Sequence, residues 1–281
     1  MGWPPNRSGD FREATSHDEP NRRLTMSTGV DIAVNGDVAT LTLNRPEKRN
    51  SVTHDMWRAI GDSVEALAKN SNVRVLIVRG EGHHFCAGAD IGGLSDGVEG
   101  DYAQDNWRAE EQLTNFPAPT IAVVRGNCIG GGVSIALTCD IRIADTTATF
   151  GITPAKLGIV YPSNSLERAV RELGASNAKR LIFTGDIVDA EAACNSGLVH
   201  EVHAPDALDK AVDTVVATLL SRSSLTQTAT KAMISEITAS GSVSEATRSR
   251  WAPVPKSSGE LDEGIAAFKE KRTPTFPWRR R

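Results

Sequence analysis

Cysteine is scarce in this chain and none of it is paired in a motif. Cys86, Cys128, Cys139 and Cys194 form no C-x-x-C pattern in 281 residues, and each sits among apolar or small residues. That argues against a disulfide scaffold and predicts buried, reduced thiols in a cytoplasmic protein. No apolar run approaches the roughly 20 residues that a membrane span requires. Positive charge is not in excess either. Lys and Arg number 31 against 35 Asp and Glu, a net charge of −4, without the basic face of a nucleic-acid binder. No His, Cys or Asp cluster has metal-ligand spacing, so no metal is expected. There is no internal repeat.

What is present fits a soluble globular protein, with 40% hydrophobic and 23% charged residues. The first 25 residues are polar and proline-bearing and lack the apolar core of a secretory signal. They read as a disordered extension upstream of a natural start at Met26. The remainder divides into a core over 26–205 and a helical region over 206–281.

Two short strands flank Asn35-Gly36, a hairpin signal. A helix follows with Thr53 at its cap and Met56, Ile60, Val64 and Leu67 at helical spacing. Residues 73–78 read as a buried strand, and 101–115 as a polar helix whose Glu110-Glu111 pair reads as a solvated face, the alternative being a carboxylate at the pocket's border that serves proton transfer. His83 and His84 are read as loop-surface residues. Short strands are expected at 141–144 and 148–150. Further on, Asp189 caps a short helix stopped by Gly197, and helices cover 207–220 and 261–271. Alternating strands and helices imply an α/β fold with a helical C-terminal part.

The stretch 120–150 organises the rest. A buried strand at 121–124 breaks at Gly126, and Gly130, Gly131 and Gly132 open a helix expected from Val133 to near Asp140. Asp140 itself reads as structural. Glycines at a helix N-terminus expose bare N–H groups to a ligand, and the helix adds partial positive charge. The spacing is neither G-x-G-x-x-G nor a P-loop. A second small-residue loop, 85–91, closes the preceding strand, where α/β sheets place ligand sites. Together the two loops suit an oxyanion.

Four ordered motifs carry a family resemblance. L-N-R-P-E-K-R-N at 43–50, H-F-C-A-G-A-D-I at 84–91, G-G-G-V-S-I-A-L-T-C-D-I-R-I-A at 130–144 and E-G-I-A-A-F-K-E-K-R-T-P-T-F at 263–276 are similar to the crotonase, or enoyl-CoA hydratase/isomerase, superfamily. The resemblance implies an α/β fold, a crotonase-like spiral of ββα units with a helical C-terminal trimerisation region. It implies a homotrimer or dimer of trimers acting on an acyl-CoA thioester, with coenzyme A carried by the substrate and no separate cofactor. The backbone N–H groups of Ala89 and Gly131 would form the oxyanion hole. Ala87, Asp90 and Ile91 would border the adenine, and Lys48 and Arg49 would approach the CoA phosphates. Gly92 stands where some members carry a lysine. Phe268 and Lys271 match positions that pack on CoA, often from a neighbouring subunit.

The departures from the family pattern bear on the reaction. Ser134 and Pro154 occupy the positions of the two glutamates that hydratases use as acid and base. Neither replaces a carboxylate in proton transfer, which is worth about 10²–10⁴-fold per positioned group. The run T-P-A-K-L-G-I-V-Y at 153–161 is similar to that of methylmalonyl-CoA decarboxylases, whose reaction reaches the enolate by losing CO₂. Tyr161 then matches a substrate-facing tyrosine, which would orient the carboxylate or deliver a proton. A silent acyl-CoA binder is a further reading. So is a serine hydrolase, since 132–136 approximates a nucleophile elbow with Asp186 or Asp189 and His200 or His203 completing a triad.

Overall fold

Strands rich in Val, Ile and Leu without polar alternation are built for burial on both faces. In the computed structural model, which describes residues 22–26, 28–90, 92 and 100–280, they form the centre of a seven-stranded sheet. Strands β1 (Arg22–Met26), β2 (Val30–Asn35) and β3 (Val38–Leu43) are antiparallel neighbours. From β3 the sheet continues in parallel through β4 (Val75–Gly80), β5 (Thr120–Val124), β7 (Ile141–Asp145) and β10 (Glu201–His203). A small second sheet holds β6 (Asn127–Ile129), β8 (Thr149–Gly151) and β9 (Val188–Asp189).

Ten helices accompany them among the described residues: α1 (His54–Ala68), α2 (Asp101–Thr114), α3 (Gly131–Thr138), α4 (Ser163–Thr184), α5 (Ala190–Asn195), α6 (Leu208–Leu220), α7 (Ser224–Ser240), α8 (Glu245–Trp251), α9 (Val254–Ser257) and α10 (Glu260–Glu270). One pattern recurs three times. A strand of the large sheet is followed by pairing in the second layer and then by a helix. The series runs β4, the Cys86–Cys128 bridge and α2; then β5, β6 and α3; then β7, β8 and α4. The turns of this ββα spiral stack their second-layer segments side by side, and the glycine loop lies at that seam.

Side chains leave the large sheet in both directions. Leu76, Val78, Ala122, Val124 and Ala144 join the main core with α1 and α3. Val75, Ile121, Val123 and Ile143 pack on the other face against Leu208 and Val212 of α6. Asp140 closes this layer, as its structural reading expected. Its carboxylate accepts the Thr120 N–H at 2.8 Å and the Lys231 ammonium at 2.7 Å, joining the end of α3 to β5 and α7. Arg142 is a buried cation shared by several segments. It donates to the carbonyls of Cys139 and Leu198, and its remaining nitrogen lies 3.1 Å from Glu172 on α4.

Several elements stand where the sequence puts them. Thr53 caps α1 through the Met56 N–H, and Asp189 caps α5 through the Ala192 N–H. Gly197, at φ +79°, follows the end of α5. Other features differ. β1 begins at Arg22, so pairing with β2 reaches into the stretch read as an extension, while residues 1–21 lie outside the described ones. β6 intervenes between Gly126 and the glycine triplet, and α3 starts at Gly131 rather than Val133.

All four cysteines are free, but only Cys86, Cys128 and Cys139 are buried, and Cys194 is half-exposed. Burial pushes the thiols of Cys86 and Cys139 up to about 12. In native protein at pH 8, Ellman's reagent should therefore titrate one thiol rapidly, and the Cys194→Ser variant should lose that phase. Fast reaction of a second thiol would show that the core opens more readily than its packing implies.

Candidate functional site

The site begins with how residues 86–90 are held. On one side this segment pairs with the loop after β3: the Val52 N–H donates to the Gly88 carbonyl and the Asp90 N–H to the Val52 carbonyl, at 2.8 and 2.9 Å. On the other side Cys86 bridges to β6, with its N–H on the Asn127 carbonyl and its carbonyl taking the Ile129 N–H. In a parallel pairing only alternate residues bond to a given neighbour. Ala89 is the residue left between, and its N–H has no acceptor among the described residues. Gly88, at φ +107°, makes the turn that only glycine adopts without strain.

The second amide comes from α3. The N–H groups of a first helical turn have no partner within the helix, and Gly131 opens this one. Gly130 N–H is spent on the Gly151 carbonyl, and the first helical bond is Ser134 N–H to the Gly130 carbonyl. The Gly131 N–H is thus free among the described residues. The two loops are in contact: a methyl group added at Gly131 would sit 3.6 Å from the Ala89 nitrogen and 3.4 Å from the Trp57 indole. The structure therefore places Ala89 and Gly131 side by side.

Beside them lies a pair of hydroxyls. Ser134, one turn into α3, has its Oγ 2.6 Å from the Tyr161 hydroxyl. Burial pushes the Tyr161 phenol up, against the opposing effect of its Ser134 bond, so the proton stays on. Tyr102 accepts the Trp57 indole N–H at 3.0 Å, and burial raises its phenol as well. Pro154 opens a short 3-10 turn and is buried, so no proton-transfer group stands there.

Glu110 corrects the sequence reading. Glu110 is fully buried rather than on a solvated face, while Glu111 remains half-exposed. The Glu110 carboxylate accepts from Asn106 at 3.3 Å, Asn164 at 2.8 Å and Ser165 at 3.0 Å, and pairs with Arg168 at 2.6 Å. Burial pushes its carboxyl up, and Arg168 pulls it back. Arg168 Nε has no partner among the described residues. Tyr102, Asn106 and Glu110 recur every four residues, so α2 turns a polar stripe inward. That spacing was the available signal; the surrounding charged residues masked it.

Four of the residues named for a triad are engaged elsewhere. His200 takes the Arg142 N–H on Nδ1, and His203 pairs with Glu201 at 2.8 Å. Asp189 is engaged as a cap, and Ser134 bonds to Tyr161 and to the Gly130 carbonyl instead. His83 is exposed, whereas His84 is half-buried and accepts the Asn127 N–H. Buried Asn50, at φ +57°, holds the carbonyls of Glu81 and His84 and escaped the sequence reading.

The residues assigned to coenzyme A scatter more widely. Lys48 and Arg49 are exposed, and the Arg49 carbonyl accepts the Ala87 N–H at 2.9 Å. The Asp90 carboxylate is 2.9 Å from Arg45 and also takes the Gly92 N–H. Ile91 lies outside the described residues. Phe268 on α10 and Lys271 just beyond it are exposed, on a helix that packs chiefly against α9.

The family model described as Enoyl-CoA hydratase/isomerase matches residues 33–279. A methylglutaconyl-CoA hydratase of Homo sapiens is 30% identical over 256 residues, covering 86% of this chain and 74% of its own. A 2,3-dehydroadipyl-CoA hydratase of Escherichia coli is 30% identical over 249 residues, covering 86% and 96%. Among solved structures, an enoyl-CoA hydratase/carnithine racemase from Magnetospirillum magneticum superposes with a TM-score of 0.84 at 30% identity, covering 90% of this chain and 96% of that one.

Replacing Gly131 with proline tests the second amide. Proline is tolerated at the first position of a helix, so the fold should persist while the donor is deleted. Turnover is expected to fall by about 10²–10³-fold, the usual cost of one oxyanion donor. A folded Gly131→Pro variant with unchanged kcat would remove this amide from the site.

Proposed function

The chain belongs to the enoyl-CoA hydratase/isomerase family, and from that premise we propose that it carries an acyl-CoA thioester through an enolate. The thioester oxygen sits between the Ala89 and Gly131 N–H groups. The observation that carries this reading is a hydroxyl pair 2.6 Å apart: Ser134, on the helix that supplies one of those amides, and Tyr161, just before α4. Negative charge gathers on the thioester oxygen as the enolate forms, and fixed amides in a dry site meet it without reorganising. The Tyr161 phenol, still protonated, gives its proton to the α-carbon. A proton from solvent then restores the phenol.

The side chains favour a reaction that needs a proton donor more than a base. Loss of CO₂ from a malonyl-type thioester is such a reaction. The bond from the α-carbon to the carboxylate breaks and its electron pair becomes the enolate. The α-carbon then takes the Tyr161 proton. Pro154 and Ser134, in place of carboxylates, support this choice. Hydration or isomerisation of an enoyl thioester is the second reading, favoured by what the relatives are named for.

In this proposal Lys48 and Arg49 face the CoA phosphates, and the backbone of Ala87, Asp90 and Ile91 borders the adenine. Phe268 and Lys271 close the site of a neighbouring copy in a homotrimer or dimer of trimers. Exposed Ile234, Ile237, Leu261 and Ile265 on α7 and α10 offer apolar surface for that assembly. The protein acts in the cytoplasm and needs no cofactor beyond the substrate's own coenzyme A.

Four measurements separate the readings. Release of CO₂ from malonyl- or methylmalonyl-CoA supports decarboxylation, and loss of the conjugated thioester absorbance of crotonyl-CoA supports hydration. Tyr161→Phe should lower kcat for the active substrate by about 10²-fold, in the range of one acid–base group. Tight acyl-CoA binding with neither reaction would leave a silent binder, and release of free thiol would reinstate ester hydrolysis.

A further inference from the structure

Tyr161 packs its ring against the main core, but the backbone that delivers it is loosely held. The preceding residues 155–160 are largely exposed, Val160 to 90%. Pro162 caps α4 without a side-chain hydrogen bond. Yet the phenol meets Ser134 at 2.6 Å, so something must fix the start of α4 relative to α3.

Glu110 is placed to do this. It reaches from α2 to three residues in the first two turns of α4: Asn164, Ser165 and Arg168, at 2.8, 3.0 and 2.6 Å. Two of these lie three and four residues after Tyr161. Both carboxylate oxygens are occupied, and Arg168 is itself buried. A carboxylate so fully bonded is poorly placed to exchange protons with a substrate. It is well placed to clamp a helix.

We propose that Glu110 is a positioning residue: it locks the first turn of α4 to α2 and thereby sets the Tyr161 hydroxyl against Ser134. Glu110 thus supplies a carboxylate to the site indirectly, through the helix that follows Tyr161. The inference rests on the enolate reading for its catalytic meaning, but the clamp itself is a statement about geometry.

The test separates the two. The chain has only two tyrosines, Tyr102 and Tyr161, so labelling at tyrosine Cζ with carbon-13 gives two resonances, assigned by the Tyr102→Phe and Tyr161→Phe variants. Glu110→Gln should shift and broaden the Tyr161 resonance. The Asn164→Ala/Ser165→Ala double variant should do the same without leaving the Arg168 charge unpaired. With the active thioester, both variants should lower kcat by about 10²-fold, the scale of a misplacement near 1 Å. KM should move less than about threefold, since binding through the amides is retained. An unchanged Tyr161 resonance in both folded variants overturns the clamp. If no thioester is turned over, the enolate reading fails, while the resonances still decide whether Glu110 sets Tyr161.

Discussion

The site depends on the alternation of hydrogen bonding in parallel β pairing. Residues 86–90 are gripped from two sides, by β6 at Cys86 and by Val52 at the peptide groups on either side of Ala89. The Ala89 N–H is left over by arithmetic, not by accident of a loose loop. Such an amide is rigid without being spent, as stabilisation of a developing oxyanion demands. α3 contributes its counterpart through the unfilled donors of a first turn. Neither amide depends on the identity of a particular side chain.

That economy explains how the site differs from its family pattern while keeping its frame. Where carboxylates are usual, a serine and a proline stand, and a tyrosine reaches the serine from the start of α4. The nearby carboxylate of Glu110 is turned away from solvent and consumed by a neighbouring arginine and three polar side chains. Buried polar groups hold a single arrangement only when they are satisfied, and this cluster is satisfied save for Arg168 Nε among the described residues.

Much of this was legible in the residues. The strands read at 73–78 and 121–124 announced themselves by their apolar runs, and the caps at Thr53 and Asp189 by local chemistry. The loop motifs marked the two glycine-bearing loops that meet beside Trp57. What escaped has a common cause, since it rests on contacts distant in sequence. β6 is three residues long and forms because Cys86 and β8 flank it. Asn50 looked like one more loop residue until Glu81 and His84 were seen to bond it. Glu110 looked solvated because it sits among Arg108, Glu111 and Gln112 in sequence, and only the arrival of α4 reveals its inward face.

Arg142 has a bearing on how the molecule comes apart. It is dry, charged and shared among α3, α4 and the segment before β10. Its partner Glu172 is one-third exposed, while the carbonyls of Cys139 and Leu198 hold its other nitrogens in the interior. Displacing α4 would leave the guanidinium with main-chain oxygens alone, so loosening of this helix carries a charge penalty felt at the end of α3 and at β7.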